Sequence, residues 1–436
     1  MKHKLLYVML VVTVFITGCK KDSDPVFDDP DARLIAELAA DQAKLLASVN
    51  GWKATIYPKG GKGYSYYLKF DASGKISMLS DFNATSATTL KESTYRLKAL
   101  QFPTLIFDTY SYIHLAADPD ASVSGGTSAT GLKSDFEFAF DKASGDSLKM
   151  NGIFNGNAMT MIKLSEAESA SIVAGGLKTM MDANAAYVTA NRYPYIIFAD
   201  NIKVAISIDP ATKVVKLSYI NGTEVKTQSV TFAHGINKLT LSGNLTYNGI
   251  TFNELQYDPT NKVYYITAGS TRYMLQNSAT PITPLSLMFG FPSSYTYRRI
   301  TIPSAGLTSG VTSGFSSVYN SMVANFASSG RVITSTFMSL TGNDAFHVEV
   351  AYTSGTSAFI AAADYTYTRV GDVFTLSAPV YNGNWTTRAT QLLPLTNYML
   401  TGPFKIDWVT STNPNSPLLG GFYRTADSSS FIYGAL

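Results

Sequence analysis

The sequence predicts a mainly β protein with a few helices, an α+β chain of tandem antiparallel β-meander units that are each preceded by an amphipathic helix. Stretches such as YSYYLKFDASGKISML alternate apolar and polar residues around short turns rich in Asp, Ser and Gly. That alternation indicates strands joined in hairpins. Two longer segments, near 30–49 and 165–190, instead repeat apolar residues at helical spacing. Weak internal repeats suggest that one helix-plus-sheet unit recurs along the chain.

The helices have recognisable start signals. The first is expected after Asp29, which would cap it, with Pro30 in its first turn. The second is expected from Ser165, because Glu168 completes a capping box. A third candidate covers 311–328, where glycines and serines weaken the helical pattern.

Hairpins are expected where Asn-Gly pairs follow strand-like runs. The pairs are Asn221-Gly222, Asn248-Gly249 and Asn382-Gly383. Another hairpin is predicted in SDFEFAFDKASGDSLKMNG, which starts at Ser134. Its alternation places Phe136, Phe138 and Phe140 on one face of a strand and Asp135, Glu137 and Asp141 on the other.

Internal repetition suggests the domain organisation. One constant shift along the chain places Leu148 on Leu239 and Leu164 on Leu255, and TLSGNLTYNG resembles the later TLSAPVYNG. The predicted segments are a lipoprotein signal peptide at 1–18, a lipidated cysteine with a linker at 19–30, a helix plus antiparallel β unit at 31–164, a second such unit at 165–305, and a third β unit at 306–436.

The N-terminus indicates export. A short basic start is followed by twelve apolar residues from Leu5 to Ile16. That run is too short for a bilayer span, which needs about 20 residues, but it suits a secretory signal. Ile16-Thr17-Gly18-Cys19 resembles a lipobox, in which the peptide is cut before the cysteine and Cys19 carries acyl chains. The alternative is an ordinary signal peptide with an incidental cysteine.

The residues after the cysteine suggest where in the cell envelope the protein is located. Lys20, Lys21, Asp22 and Asp24 resemble the lysine-plus-acid signal that sends Bacteroidota-type lipoproteins to the outer face of the outer membrane. This predicts a lipid-anchored outer-membrane protein on the extracellular face. The alternative is a solvated linker on a protein of the periplasmic leaflet.

Composition narrows the function classes. The net charge is +3 and only 15% of residues are charged, against about 25% in typical domains. No basic cluster stands out, so no nucleic-acid partner is expected. Lipidation of the single cysteine would leave no thiol, and no metal site or cofactor is predicted. The chain lacks the His-Glu-x-x-His, Gly-x-Ser-x-Gly and phosphate-loop motifs.

The strongest local candidate site is the loop DPDASVSGGTSATGLKSD. Oxygen ligands from Asp118, Asp120, Ser122 and Asp135 could hold calcium or another ligand. The glycine spacing differs from that of an EF-hand, however. Because the same residue types also build turns, the alternative is a structured or partner-binding loop.

Two other candidates lie near the C-terminus. His347 and Glu349 share one face of a strand, either as an acid–base pair or as an ordinary surface pair. Trp385, expected to be exposed on the Asn382-Gly383 hairpin, and Tyr381 are the candidate contact aromatics. Most other aromatics are expected to pack inside sheets, where their strand propensity places them.

Several stretches together resemble one family. They are CKKD after the lipobox, NGW at the end of the first helix, YYLKFD, STYRLKALQFPTLIFDTYSYIHLAADPD and SDFEFAF. The chain resembles the Bacteroidota lipoproteins catalogued as domain of unknown function 4302, most specifically over 50–140. That family has no established activity, so the resemblance implies no catalytic residue. Its members are often encoded beside outer-membrane nutrient importers of the starch-utilisation type and other surface lipoproteins, which implies an accessory role in uptake by association.

The sequence therefore favours a non-catalytic binding or accessory lipoprotein of a glycan or peptide uptake system. Its expected partners are the membrane, through the N-terminal lipid, an outer-membrane importer and companion lipoproteins. A surface hydrolase stays open, because two distant carboxylates can act without a local motif. A structural or adhesive envelope protein also stays open.

Overall fold

The computed structural model describes residues 30–436, apart from the side chain of Pro30. Cys19 and the predicted export residues Lys20, Lys21, Asp22 and Asp24 lie outside the described residues, so the signal, lipidation and export assignments stay predictions. The chain divides into two compact units, Met1–Leu177 and Lys178–Leu436. Within residues 30–436, no helix combines the length and the apolar character that a membrane crossing demands.

The first unit contains one closed β-barrel with helices around it. Its strands are β1 (Trp52–Ile56), β2 (Tyr64–Phe70), β3 (Lys75–Ser80), β4 (Lys91–Ala99), β5 (Pro103–Phe107), β6 (Glu137–Ser144), β7 (Ser147–Gly152) and β8 (Ala158–Lys163). Its helices are α1 (Pro30–Leu46), α2 (Ala84–Thr88), α3 (Tyr112–Leu115), α4 (Ala121–Ser124), α5 (Glu166–Ser171) and a π-helical turn, Ile172–Gly176. Helix α6 (Leu177–Ala190) begins at the last residue of this unit.

The barrel is a simple antiparallel meander whose last strand returns to its first. Each strand pairs with the next, and β8 pairs with β1 along the whole length of β1. Side chains alternate along β1, where Trp52, Ala54 and Ile56 are buried. Large apolar side chains fill the interior, as expected of a barrel with eight strands. The middle of the barrel is therefore a packed core.

The two ends of this barrel differ in the lengths of their connections. Alternate connections of an antiparallel meander lie at the same end. One end, here called the turn end, carries the short connections 71–74, 100–102 and 145–146. The opposite end, here called the loop end, carries the long connections 57–63, 81–90, 108–136 and 153–157.

The second unit begins with another ring of strands. They are β9 (Pro194–Ile197), β10 (Lys203–Asp209), β11 (Val214–Asn221), β12 (Glu224–Gly235), β13 (Lys238–Tyr247), β14 (Ile250–Asp258), β15 (Val263–Ala268), β16 (Thr271–Met274) and β17 (Gln276–Asn277). Only Leu275 separates β16 from β17. Because β16 pairs with β15 and β17 pairs with β9, this short segment completes the ring.

The same unit ends with a third ring. Its strands are β18 (Arg299–Pro303), β19 (Arg331–Leu340), β20 (Ala345–Ser354), β21 (Ser357–Val370), β22 (Val373–Leu376), β23 (Val380–Tyr381), β24 (Phe404–Val409), β25 (Leu419–Arg424) and β26 (Asp427–Ala435). Its helices are a 3-10 turn (Leu285–Leu287), α7 (Phe315–Ser328), α8 (Gly383–Thr387) and α9 (Ala389–Met399). The β20–β21 and β18–β26 pairings complete the ring, with β23 added beside β21.

These rings confirm the predicted mainly β, α+β class and refine its details. Strand β18 lies before the predicted boundary at 305/306, yet it pairs with β19 and β26 of the third ring. The shift that matched Leu148 with Leu239 places β7, the seventh strand of its ring, on β13, the fifth of the next. The apparent sequence repeat therefore does not align equivalent strands.

One of the three predicted helix starts is confirmed by its capping geometry. The capping box of Ser165 and Glu168 is present at the start of α5. Helix α1 is described from Pro30 onward, so the expected cap at Asp29 lies outside the described residues. The expected single helix over 165–190 is interrupted at Gly175, whose φ is 94°. The third candidate, 311–328, corresponds to α7, which begins only at Phe315.

Two of the three Asn-Gly hairpins are confirmed, at Asn221-Gly222 and Asn248-Gly249. The third is wrong. Asn382 is the N-cap of α8, and its Oδ1 accepts a hydrogen bond from the backbone N–H of Trp385 at 2.8 Å. An Asn-Gly pair satisfies a helix start as readily as a hairpin turn, because Asn is a strong N-cap residue.

Candidate functional site at the loop end of the first barrel

A cavity of about 730 Å³ opens at the loop end of the first barrel. Two connections line it, contributing residues within 117–137 and 153–155. Its size falls in the range of about 300–1,000 Å³ that is usual for small-molecule sites. The candidate loop of the sequence therefore forms one wall of this cavity.

The carboxylate of Asp135 anchors the opposite wall. Its Oδ1 accepts hydrogen bonds from the N–H groups of Phe154 at 3.1 Å and Asn155 at 2.7 Å. Its Oδ2 accepts from the backbone N–H of Asn157 at 3.0 Å and from Nδ2 of the same residue at 2.7 Å. Asp135 is only 2% exposed. Hydrogen bonds to a buried charge are strong, so this one side chain fixes the 153–157 connection.

The predicted strand alternation therefore does not extend to Asp135 and Phe136. Strand β6 begins only at Glu137, so the two preceding residues have left the alternating ladder. Asp135 turns inward to its four donors, and Phe136 is exposed. The sequence could not show this, because the partners of Asp135 are mostly backbone N–H groups, which every residue except proline carries.

Further hydrogen bonds tie three connections of the loop end together. Asn157 accepts from the backbone N–H of Lys59 at 3.0 Å and donates to the carbonyl of Lys133 at 2.7 Å. The N–H of Gly60 donates to the carbonyl of Leu132 at 2.8 Å. The walls of the cavity are therefore held in place by hydrogen bonds before any ligand binds, which lowers the ordering cost of binding.

A glycine makes room for the Asp135 anchor. A Cβ atom on Gly152 would lie 2.1 Å from Oδ2 of Asp135, well inside van der Waals contact. The end of β7 therefore requires a residue without a side chain. This is a packing constraint between two residues that are distant along the chain.

An exposed apolar surface extends from the cavity. Phe154 is 93% exposed, and Ile153 and Phe136 are also exposed. The ring of Phe136 lies 4.7 Å from that of His114, which stacks on Tyr110 at 5.6 Å. Contiguous exposed apolar patches are more common at interaction sites than elsewhere on protein surfaces. We call these five residues the aromatic surface.

His114 is held in its neutral form within this surface. Its Nδ1 accepts from the backbone N–H of Ser111 at 3.1 Å, so the ring proton lies on Nε2, which donates to the carbonyl of Phe107 at 3.0 Å. Burial lowers the pKa of His114, and the nearby charge of Lys91 lowers it further. The Nζ atom of Lys91 lies 5.6 Å from the centre of the Tyr110 ring, within cation–π range.

The other predicted loop residues close turns. Asp120 caps α4, and its Oδ1 accepts from the N–H of Ser122 at 2.8 Å. Asp118 accepts from the N–H of Asp120 at 2.9 Å and from the hydroxyl of Tyr110. Among residues 30–436, no group of three or more His, Cys, Asp and Glu side chains is placed to hold a metal ion. The calcium interpretation finds no support in this arrangement, whereas the loop does line a cavity.

The expected exposure of Trp385 is wrong. Trp385 is 1% exposed and belongs to the core of the third ring, because the residue before Gly383 starts a helix and not a hairpin. Tyr381 is partly exposed and stacks on Trp385, with ring centres 5.4 Å apart. These aromatics therefore contribute mainly to packing.

The predicted pair of His347 and Glu349 shares a strand face, with Nε2 of the histidine 3.5 Å from Oε2 of the glutamate. The β20–β21 register adds Asp364, whose Oδ1 lies 2.6 Å from Nδ1. Sequence reasoning missed Asp364, since only strand pairing brings it close. Both ring nitrogens face carboxylates, so neither is directed at a nucleophile, and we interpret the group as a cross-strand polar cluster.

Sequence reasoning also missed Ile153 and Phe154. Their signal was an apolar pair directly before the turn residues Asn155 and Gly156, a place where a core residue is not expected. The stacking of Tyr110, His114 and Phe136 had no such signal, because it depends on how the 108–136 connection folds.

A family model described as Domain of unknown function (DUF4302) matches residues 23–259, more than half of the chain. The chain belongs to the DUF4302 family. The matched region of this DUF4302 protein includes the whole first barrel with its aromatic surface, and it ends after β14 of the second ring. The third ring lies outside the match.

No curated protein matches this DUF4302 chain. Twelve chains of solved structures do match. One is the octameric penicillin-binding protein homologue from Pyrococcus abyssi, at 11% identity over 35% of this chain and 38% of that chain, with a TM-score of 0.17. The DUF4302 chain thus spans well under half of that protein, and so low a TM-score carries no argument about fold or function.

Proposed function

We propose that this protein is a lipid-anchored lipoprotein of the outer-membrane surface that binds a glycan at the loop end of its first barrel, as an accessory component of nutrient uptake. The observation that carries the proposal is Phe154, a large apolar side chain that is 93% exposed on a connection held by four hydrogen bonds to Asp135. An exposed apolar patch beside a cavity, on a connection that is held in place, is a feature of binding sites.

The chemistry around Phe154 favours a neutral glycan. Aromatic faces pack well against the C–H faces of sugar rings, and a few polar groups then fix orientation. Thr130, Lys133, Glu137 and Asn155 supply hydroxyl, ammonium, carboxylate and amide groups around the same cavity. The lining also contains Asp135, but its oxygens already accept four hydrogen bonds, so Lys133 and Glu137 are left as one cation and one anion and give no preference for a charged ligand.

A peptide fits this end of the barrel less well. Extended peptides are commonly bound by adding a strand to a free sheet edge. The first barrel is closed, with β8 paired to β1, so it offers no such edge. The absence of a free edge in the first barrel is therefore a reason to prefer a glycan over a peptide, the two nutrient classes that the sequence left open.

A ligand screen tests the proposed activity. The mature chain without its lipid would be tested against panels of neutral oligosaccharides and of peptides. Binding of at least one oligosaccharide class is expected, and the glycan should be recovered uncleaved after long incubation. Binding of peptides alone, or of neither panel, would contradict the glycan proposal. Cleavage would make the protein a hydrolase.

The proposed lipid anchor and the proposed importer partner are tested with the full-length protein expressed in cells. The full-length protein should partition with outer membranes, and Cys19→Ala should release it. A gentle pull-down from solubilised membranes is expected to recover an outer-membrane importer at near-stoichiometric yield. Recovery of the lipidated protein alone would contradict a stable uptake complex while leaving the glycan proposal to its own test.

A further inference from the structure

The third ring has a second cavity, of about 570 Å³, between α7 and the segment 304–311. It lies outside the region that matches the family model, and it shares no residue with the loop end of the first barrel. Its ligand chemistry can therefore be considered independently of the function proposed for the first barrel.

The floor of this cavity is aromatic and fixed. Tyr319 and Tyr433 are almost fully buried beneath it, with Ile333 beside them. The hydroxyl of Tyr433 donates to the carbonyl of Thr308 at 3.4 Å. Such a floor gives a ligand a rigid surface.

The rim of the cavity is polar, and residues outside the cavity form hydrogen bonds with it. Hydroxyl and amide side chains surround the opening, contributed by Ser304, Thr308, Ser309, Ser316 and Asn320. The carbonyl of Ser309 accepts from the hydroxyl of Ser411 at 2.8 Å, and its hydroxyl accepts from the side-chain amide of Asn413 at 2.9 Å. Two exposed valines, Val323 and Val332, complete the wall.

Arg331 is the one charged side chain in the lining, which contains no Asp or Glu. Its Nη1 donates to the carbonyl of Ser329 at 2.7 Å. An arginine has five N–H donors, and among the contacts of residues 30–436 this is the one that Arg331 makes through its side chain. Arg369 differs, because it donates to the carbonyls of Gly371, Phe289 and Ser286 and so serves the fold.

We propose that this cavity is a second binding site that takes a small hydroxylated carboxylic acid, an acidic sugar of the hexuronate type. The free face of the Arg331 guanidinium matches a carboxylate, which it can bind through two parallel hydrogen bonds. The hydroxyl and amide rim matches sugar hydroxyls, and the valines match the C–H face of the ring. A fatty acid would instead need a mostly apolar, enclosed pocket, which this rim does not provide.

The test compares two sugars that differ in one group. D-glucuronate and D-glucose would be titrated into the full mature chain and followed by saturation-transfer NMR. Glucuronate is expected to bind at least tenfold more tightly, because only it carries the carboxylate. Arg331→Gln should weaken glucuronate binding about tenfold or more, and Arg331→Lys should weaken it less, since the charge remains without the planar fork.

Two further variants keep the test specific. Arg299→Gln, on β18 of the same ring but outside the cavity, should leave binding unchanged. Asn320→Ala should weaken it by a few fold while the melting temperature stays that of the wild type. Glucuronate that does not bind, that binds no better than glucose, or that binds Arg331→Gln as it binds the wild type would overturn the proposal. Octanoate that binds this site more tightly than glucuronate would overturn the ligand class.

Discussion

The two ends of the first barrel share one core but are built differently. At the turn end, connections are short and use local turn chemistry, as when Oδ1 of Asp71 accepts from the N–H groups of Ser73 and Lys75 at 2.8 and 2.9 Å. At the loop end, Asp135 binds a connection that lies 19 to 22 residues further along the chain. Long connections lose more entropy on ordering. Binding residues often lie on loops that the rest of the fold holds in position, so hydrogen bonds that order a long connection are expected where it contributes to a site.

Both ends also expose a phenylalanine, which gives a matched pair. Phe102 at the turn end is 56% exposed and sits in a short connection with a single backbone hydrogen bond, from the N–H of Leu100 to the carbonyl of Phe102 at 3.2 Å. Phe154 at the loop end borders a cavity and continues into the aromatic surface. Exposure alone therefore does not distinguish a site, whereas exposure on a fixed connection beside a cavity does.

The largest expected difference between the ends is in stability. Asp135→Ala removes a buried acceptor from several donors and should lower the free energy of unfolding by about 3 kcal/mol. Asp71→Ala removes a solvent-exposed carboxylate with similar turn contacts, and its effect should be much smaller. Denaturant titration of both variants would measure the difference. Equal losses would show that the loop end is not specially anchored.

A second prediction tests the contact between Gly152 and the anchor. Gly152→Ala places a Cβ against the Asp135 carboxylate and should cost about 2 kcal/mol of unfolding free energy, within the usual range for overpacking. In an Asp135→Gly background the Oδ2, Cγ and Cβ atoms that the new Cβ would meet are all absent, so the same substitution should cost far less. Additive losses in this double-mutant cycle would argue against direct coupling.

A third prediction concerns binding. Phe154→Ala should weaken glycan binding by about 2 kcal/mol, roughly thirtyfold, as expected for a central aromatic contact. Its melting temperature should stay close to that of the wild type, because the ring is exposed. Phe102→Ala, at the turn end, should bind as the wild type does. Calorimetric titration with the best oligosaccharide of the screen would measure both variants.

The smallest predicted effect is a pH dependence at the loop end. Burial lowers the pKa of His114, so the folded state favours the neutral ring. The unfolded chain takes up a proton as the pH falls through about 6.5. The stabilisation by neutral His114 is therefore complete above that pH and declines as the pH falls towards the lower folded pKa. Burial is the largest cause of the lowered pKa and Lys91 adds to it, whereas the hydrogen bonds with Phe107 and Ser111 and the charge of Asp108 act in the opposite direction.

Denaturant titration between pH 7.5 and 5 would measure this loss, with His114→Phe as the comparison. The variant keeps an aromatic ring in the stack but cannot take up a proton. Its stability should change less over that interval than that of the wild type. The same slope in both proteins would assign the pH dependence to other groups.

The sequence was informative where structure depends on neighbouring residues. The capping box of Ser165 and the hairpin at Asn248-Gly249 follow from local chemistry and are confirmed. Barrel closure does not, because β1 and β8 pair across about a hundred residues, as the contact from Thr55 to Thr160 shows. Alternating patterns describe strands but do not say whether the last strand returns to the first.

The site was only partly predictable for a related reason. The segment 118–135 is recognisable as a candidate, but its residue types suit a calcium site, a ligand loop or a set of turns equally well, and the partners of its carboxylates in turns and in a distant connection appear only in the structure. Phe154 lies beside turn residues, but a sequence does not show whether an apolar residue at such a place is exposed or buried. Trp385 was misplaced because an Asn-Gly pair has two structural uses.

The most direct test of the central claim is hydrogen–deuterium exchange on the full mature chain, with and without the best neutral oligosaccharide. Binding at the loop end predicts slower exchange of amides in 129–136 and 153–157. The turn-end connections 71–74 and 100–102, in the same barrel, should not change. Protection confined to the turn end, or to the second unit, would contradict the assignment of the first barrel's loop end as the binding site.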